Sequence, residues 1–99
     1  MSNSEKQWLS GVASLGCIAC RNLGLGASPA EIHHVRTGQG MAQRAEHFSV
    51  LPLCPRHHRA CYPTGFYAAP KTWQAFHGTE IELLEQVKTE VKEVQLCRV

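Results

Sequence analysis

Aspartate is absent from the sequence, so all eight acidic side chains among the 99 residues are glutamates. A nuclease that holds two metal ions with clustered aspartate and glutamate carboxylates is therefore disfavoured. The sequence also lacks an apolar run of membrane-spanning length, and residues 1–8 lack the basic and apolar layout of a secretory signal. These absences predict a cytoplasmic protein that has no membrane partner and keeps its thiols reduced.

Length and composition predict one small folded domain over residues 1–99. Hydrophobic residues make up 43% of the chain and charged residues 18%, which is typical of a folded globule and not of a disordered chain. A chain this short buries a modest core, so a bound metal ion would contribute usefully to its stability.

The cysteines favour metal binding, because the chain has five of them and an odd number in a reducing compartment argues against disulfides. Zinc takes four nitrogen or sulfur ligands, and two residues separated by two others can reach one ion from a tight turn. The chain contains two such pairs, which predict a structural zinc site formed by Cys17, Cys20, Cys54 and His57. The alternative is that the cysteines are small buried apolar residues and the histidines lie scattered on the surface.

Two cysteines fall outside this pattern. Cys61 follows His57 by four residues and is the fallback zinc ligand. Cys97 is predicted to be a free thiol near a frayed chain end.

The first half of the chain predicts one helix, two strands and the start of a second helix. Ser4–Gln7 has the pattern of a capping box, followed by apolar residues at helical spacing up to Gly16. Residues 30–35 and 48–53 have strand composition, and Pro52 marks an edge or the exit of the second strand. Pro55 fits the first position of a helix that continues to Ala60.

The C-terminal part predicts a turn over residues 63–65, a short helix over 71–76, and a long helix that starts at a capping box over 79–82. The long helix carries apolar residues at helical spacing, which we expect to pack in the core: Ile81, Leu83, Leu84, Val87, Val91 and Val94. A partner-binding stripe is the alternative.

Charge is distributed unevenly along the chain. Residues 1–76 carry a balance of +4 and residues 77–99 a balance of −2, so the part with the predicted zinc ligands is the basic part. A positive surface near a metal site suits a phosphate-bearing substrate such as nucleic acid. An ordinary solvated surface would have the same composition.

An ordered series of motifs resembles a known family. Ile-His-His-Val-Arg over 32–36, Leu-Pro-Leu-Cys-Pro-Arg-His-His-Arg over 51–59, and Cys-Ile-Ala-Cys over 17–20 are joined by Gly-Met-Ala-Gln-Arg over 40–44 and Lys-Thr-Trp over 71–73. The series resembles HNH endonucleases, and more narrowly the phage recombination-enhancement (Ref-like, RecA-dependent) nucleases. The resemblance implies an α+β fold, namely a small zinc-stabilised ββα-metal finger with an N-terminal helix and C-terminal helices.

The resemblance implies a metal-dependent DNA endonuclease, phage- or prophage-encoded, that hydrolyses phosphodiester bonds in recombination or repair and has DNA and a RecA-like recombinase filament as partners. His34 would be the general base, since an imidazole titrates near neutral pH. His33 and His58 would hold a catalytic divalent ion, Mg²⁺, Mn²⁺ or Zn²⁺. Because side chains alternate along a strand, His33 and His34 point to opposite faces unless the strand is kinked. A hydrogen-bonded supporting residue is the alternative role for His33.

Basic side chains around these motifs are candidates for phosphate contacts, although each is also explained as an ordinary surface charge. They are Arg36, Arg44, Arg56 and Arg59.

Two positions depart from the family pattern. Ser49 stands where the family has the asparagine that orients the base, and a hydroxyl has a shorter reach than an amide. Tyr67 stands where relatives often have a histidine, for which Glu31 or His77 could substitute.

Two other functions remain open. One is a zinc-stabilised DNA-binding recombination accessory module with weak or no cleavage. The other is a redox protein that uses Cys17 and Cys20, which would require a thioredoxin-like βαβ setting that the sequence does not show. We expect an endonuclease to place His34 and His58 at one solvent-open cleft.

Overall fold

The computed structural model describes residues 1–37 and 47–97. Five helices and two strands follow in the order α1 Asn3–Ser14, α2 Ile18–Asn22, β1 Glu31–His34, β2 Val50–Leu53, α3 Pro55–Arg59, α4 Pro70–His77 and α5 Glu80–Cys97 within these ranges. This order confirms the predicted α+β class, with an N-terminal helix, a two-stranded sheet and C-terminal helices.

The N-cap of helix α1 lies two residues before the predicted one. The N-cap is Ser2, whose Oγ accepts from Glu5 N at 3.2 Å, while Glu5 Oε1 accepts from Ser2 N at 2.8 Å. The prediction of a cap at Ser4 was wrong, because the overlapping Ser2 box forms instead, with both of its reciprocal hydrogen bonds to Glu5. At the other end Gly16 has a φ of +79°, and a Cβ there would lie 2.7 Å from Cβ of Ala27.

The sheet is an antiparallel pair in which Glu31 lies opposite Leu53 and His34 opposite Val50. Val35 N donates to the carbonyl of Ser49 at 3.0 Å, which continues the ladder beyond β1. In an antiparallel ladder, hydrogen-bonded pairs alternate with pairs that make no such bonds. Pro52 lies opposite Ile32 in a pair that makes no inter-strand hydrogen bonds. Its missing N–H therefore leaves the ladder intact.

The core lies where α1, α2, α3 and α5 pack against the sheet, and Trp73 and Phe66 are among its largest fully buried side chains. Four of the predicted apolar residues of α5 are buried, namely Leu83, Leu84, Val87 and Val91. The prediction was wrong for Ile81 and Val94, which are 47% and 37% exposed. Successive helical residues differ in direction by about 100°, and Glu80, not Ile81, lies on the buried side of α5.

The segment after α3 folds back against this helix, as the predicted turn requires. Phe66 N donates to the carbonyl of His57 at 2.8 Å. At Gly65 a Cβ would lie 2.2 Å from the carbonyl oxygen of Ala60, so glycine is needed for this close approach of two backbones.

Candidate metal and nucleic-acid site

The four predicted zinc ligands form one buried cluster. Nδ1 of His57 lies 3.5, 3.4 and 3.2 Å from the sulfurs of Cys17, Cys20 and Cys54, and the Cys20 and Cys54 sulfurs are 3.8 Å apart. A tetrahedral zinc bonded at about 2.3 Å to sulfur and about 2.0 Å to nitrogen separates its ligand atoms by roughly 3.5 Å for N–S and roughly 3.8 Å for S–S. The cluster could therefore hold zinc without rearrangement.

Short helices hold both ligand pairs in place. Cys17 is the N-cap of α2, where its sulfur accepts from Cys20 N at 3.4 Å, and Cys54 is the N-cap of α3. Burial raises the pKa of the Cys17 thiol to about 11, so a bound cation would be needed to keep this sulfur ionised. Cys61 is exposed and outside the cluster, and the antiparallel sheet differs from the βαβ setting that the redox alternative requires.

His33 points into the interior, where its ring pairs with Glu80. The two side chains are 0% and 1% exposed, and Nε2 of His33 lies 2.6 Å from Oε2 of Glu80. The same carboxylate accepts from the backbone of Arg36 and from the backbone and hydroxyl of Thr37. Burial alone would raise the pKa of Glu80, but the hydrogen bonds from His33, Arg36 and Thr37 outweigh it and lower this pKa.

His58 pairs with a second carboxylate, that of Glu31 on β1. Nδ1 of His58 lies 2.7 Å from Oε1 of Glu31, and Arg59 donates to both oxygens of this carboxylate at 2.7 and 3.0 Å. Hydrogen bonds from Arg59 and His58 lower the pKa of Glu31. Burial lowers the pKa of His58 more than its contact with Glu31 raises it.

The rings of the two carboxylate-bound histidines lie close together, at an interplanar angle of 83°. The ring centroids of His33 and His58 are 5.1 Å apart, and the ring of Tyr67 lies 5.6 Å from the first and 5.1 Å from the second. The other ring nitrogens, Nδ1 of His33 and Nε2 of His58, are buried and have no hydrogen-bond partner among the described residues. A histidine that binds metal through one nitrogen commonly donates from the other to a carboxylate, and both rings match this pattern.

His34, the last residue of β1, is half-buried and lies beside His47. Its Nε2 lies 3.3 Å from Nδ1 of His47. Ser49 contributes its backbone carbonyl to the sheet, and within residues 1–37 and 47–97 its hydroxyl makes no hydrogen bond to His34. Among the described residues, His47, two residues before Ser49, contacts His34 instead.

The predicted phosphate-binding arginines occupy different settings. Exposed Arg36 lines a cleft of about 470 Å³ beside Tyr67, and exposed Arg56 lines a separate cavity of about 300 Å³ beside the exposed ring of Phe76. Arg59 is engaged by Glu31. Arg44 lies outside the described residues.

The two suggested substitutes for the histidine at position 67 differ in location. Glu31 contacts His58, whereas His77 packs against His57 and Trp73 on the zinc side, with ring centroids 5.4 and 4.5 Å away. Neither Glu80 nor His47 was predicted from the sequence. The available signal for Glu80 was its helical spacing, three and four residues before the apolar Leu83 and Leu84.

Comparison with known protein families shows which family the chain belongs to. The family model described as recombination enhancement, RecA-dependent nuclease matches residues 2–93. The chain belongs to this family. It is therefore a nuclease, a hydrolase that acts on nucleic acids, and the resemblance to the recombination-enhancement, RecA-dependent nucleases is confirmed.

One further comparison concerns this member of the RecA-dependent nuclease family. A search among curated proteins gives no match. Within the described residues, no helix has the length and apolarity to cross a bilayer.

Proposed function

We propose that the protein is an HNH-type, metal-dependent DNA endonuclease that hydrolyses phosphodiester bonds in phage or prophage recombination or repair. The observation that carries the proposal is the pair of unpartnered buried nitrogens, Nδ1 of His33 and Nε2 of His58, on rings whose opposite nitrogens contact carboxylates. An imidazole with a lone pair and a fixed orientation is a common ligand for catalytic metal ions.

The side chains divide into a metal-holding group and a base. His33 and His58 would hold a divalent ion, Mg²⁺, Mn²⁺ or Zn²⁺, which when bound polarises the scissile phosphate and stabilises the leaving oxygen. His34 would accept the proton of the attacking water, because imidazole has a pKa near neutral pH. His47 would orient the ring of His34, the task that we expected of Ser49.

The Cys17, Cys20, Cys54 and His57 cluster would hold a structural zinc ion. This zinc would fix the start of α3, because Cys54 and His57 flank its first turn. The orientation of His58, the next residue, would then depend on the zinc.

Substrate binding would rest on arginines near the two cavities. Arg36 and Arg56 are exposed and would contact DNA phosphates, which needs no base recognition. Arg59 would contact phosphate beside its pairing with Glu31, and Arg44 remains a further proposed contact. A RecA-like filament is the proposed protein partner, since the family's description includes RecA dependence.

A non-catalytic accessory module is the second candidate function. It is favoured by the absence of the family asparagine at position 49 and by Tyr67 in the place of a histidine. Such a module would keep the zinc cluster and the arginines and bind DNA without cutting it.

Plasmid and single-stranded DNA nicking, measured with zinc-loaded protein plus Mg²⁺, Mn²⁺ or added Zn²⁺, separates the two functions. The endonuclease proposal expects cleavage with at least one ion, and loss of cleavage when a mild chelator removes that ion but leaves the structural zinc. DNA binding with no cleavage under any of these conditions would favour the accessory module.

A further inference from the structure

A buried carboxylate is costly in a small core unless hydrogen bonds compensate its charge. Glu80 is 1% exposed on the first turn of α5, on the side that packs against the sheet. Its oxygens accept from four donors: His33 Nε2 at 2.6 Å, Arg36 N at 2.9 Å, Thr37 N at 2.9 Å and Thr37 Oγ1 at 2.7 Å. A carboxylate can accept all four at once only in its ionised form, because that form has no proton to place.

This carboxylate determines which nitrogen of His33 carries the proton. Oε2 can only accept, so the ring nitrogen that it contacts, Nε2, must donate. A neutral imidazole has one N–H, which leaves Nδ1 with a lone pair. Nδ1 is buried, and no hydrogen-bond donor for it is found within residues 1–37 and 47–97. A merely supporting histidine would be expected to have both nitrogens satisfied.

We infer that Glu80 is a positioning residue that fixes the proton of His33 on Nε2 and thereby makes Nδ1 the metal-binding atom. The inference rests on the proposed function and extends it to α5, a helix that contributes no other side chain to the proposed site among the described residues. The carboxylate also ties down the backbone of Arg36 and Thr37, so it sets the course of the chain as it leaves β1. One side chain thus places a metal ligand and the arginine that lines the adjacent cleft.

Glu80→Gln is the test, because the amide keeps the size of the side chain but replaces one acceptor oxygen with an NH₂ donor. With the NH₂ facing His33, Nε2 becomes an acceptor and the ring proton moves to Nδ1, which removes the lone pair. Two measurements are made on the zinc-loaded protein: Mn²⁺ binding by electron paramagnetic resonance, and the His33 tautomer by long-range ¹H–¹⁵N correlation spectra. We expect Glu80→Gln to weaken Mn²⁺ binding by roughly 10- to 100-fold, with the zinc content retained.

Two matched variants control for general damage to the helix or the hydrogen-bond network. Glu82→Gln makes the same change two residues later, at an exposed position that caps α5. Thr37→Val removes the hydroxyl that donates to Oε1 and leaves the contact of Oε2 with His33. Both controls should bind Mn²⁺ within about threefold of the parent.

The outcomes separate this inference from the proposed function. If Glu80→Gln moves the His33 proton to Nδ1 and yet binds Mn²⁺ as tightly as the parent, the inference is wrong and the metal site stands. If His33 of the parent carries its proton on Nδ1, the inference is overturned whether or not the variant folds. If the parent shows the Nε2–H tautomer but neither protein binds a divalent ion at this site, the role of Glu80 in fixing the proton stands and the catalytic metal proposal fails.

Discussion

Glu31 on β1 and His58 on α3 are joined by a 2.7 Å contact between Oε1 and Nδ1, and Arg59 holds the same carboxylate with two hydrogen bonds. The strand therefore fixes the ring of His58 from one side. Arg59 is already paired in the free protein, unlike Arg36 and Arg56, for which the described residues show no side-chain ion pair. The predicted arginines should accordingly differ in their effects on DNA binding.

Arg36→Ala and Arg56→Ala should each weaken binding to all DNA sequences alike. Each should also reduce the slope of log K against log salt concentration by roughly one, because one phosphate contact fewer means that fewer counterions are released on binding. Arg59→Ala should change the slope less, since part of its charge is already neutralised by Glu31. Fluorescence anisotropy titrations at several salt concentrations give the slopes. A variant that shifts base preference at an unchanged slope would assign that arginine to base recognition.

Cys20→Ser should expose the core, because zinc binding in small modules contributes folding free energy on the order of 10 kcal/mol. Zinc content by mass spectrometry and thermal melting provide the measurement. Cys61→Ser, at an exposed cysteine outside the cluster, is the matched control and should melt like the parent. A Cys20→Ser protein that keeps the parental melting temperature would refute the structural zinc.

Gly65→Ala should destabilise the fold by roughly 1–3 kcal/mol, the usual cost of forcing atoms into a packed region. The added Cβ would meet the Ala60 backbone at 2.2 Å, and backbone cannot rotate away as a side chain can. Gly11→Ala is the control, because its Cβ would lie 3.4 Å from a Val91 methyl inside α1, and alanine favours helix there. Urea unfolding of both variants checks the prediction, and equal stabilities would contradict it.

His47→Ala should reduce the rate of DNA cleavage while zinc content and melting temperature stay near the parental values, because its described hydrogen-bond partner is His34. Ser49→Asn in the same background should recover part of the loss if the family amide can orient the base. Single-turnover cleavage of a labelled duplex gives the rates. An unchanged cleavage rate in His47→Ala would show that a different group orients the ring of His34.

Local patterns in the sequence were sufficient for much of the fold and for the zinc cluster. The spacing of Cys17 and Cys20 and of Cys54 and His57 determines a ligand set, because each pair is joined by a single tight turn. The predicted capping box of α1 lay two residues too late in the chain. Two overlapping Ser-x-x-Glu/Gln patterns exist, starting at Ser2 and at Ser4, and the pattern alone does not show which of them forms the cap.

The partners of the reactive histidines were not predictable in this way. His33 and Glu80 are 47 residues apart in the chain, and their contact depends on how α5 packs against the sheet. Glu80 looks like an ordinary first-turn acid, and a rotation of about 100° per residue decides that it, and not Ile81, faces inward. His47 reaches His34 through the sheet pairing, which the motif alone does not specify.

The most direct test of the account is single-turnover cleavage by zinc-loaded parent, His34→Ala and His58→Ala proteins with the preferred divalent ion. The account predicts that each substitution lowers the rate by roughly 10²- to 10⁴-fold, as expected for loss of a general base or of a catalytic ion, while zinc content and melting temperature stay near the parental values. Cleavage that persists at the parental rate in both variants would contradict the assignment of His34 and His58 to the active site.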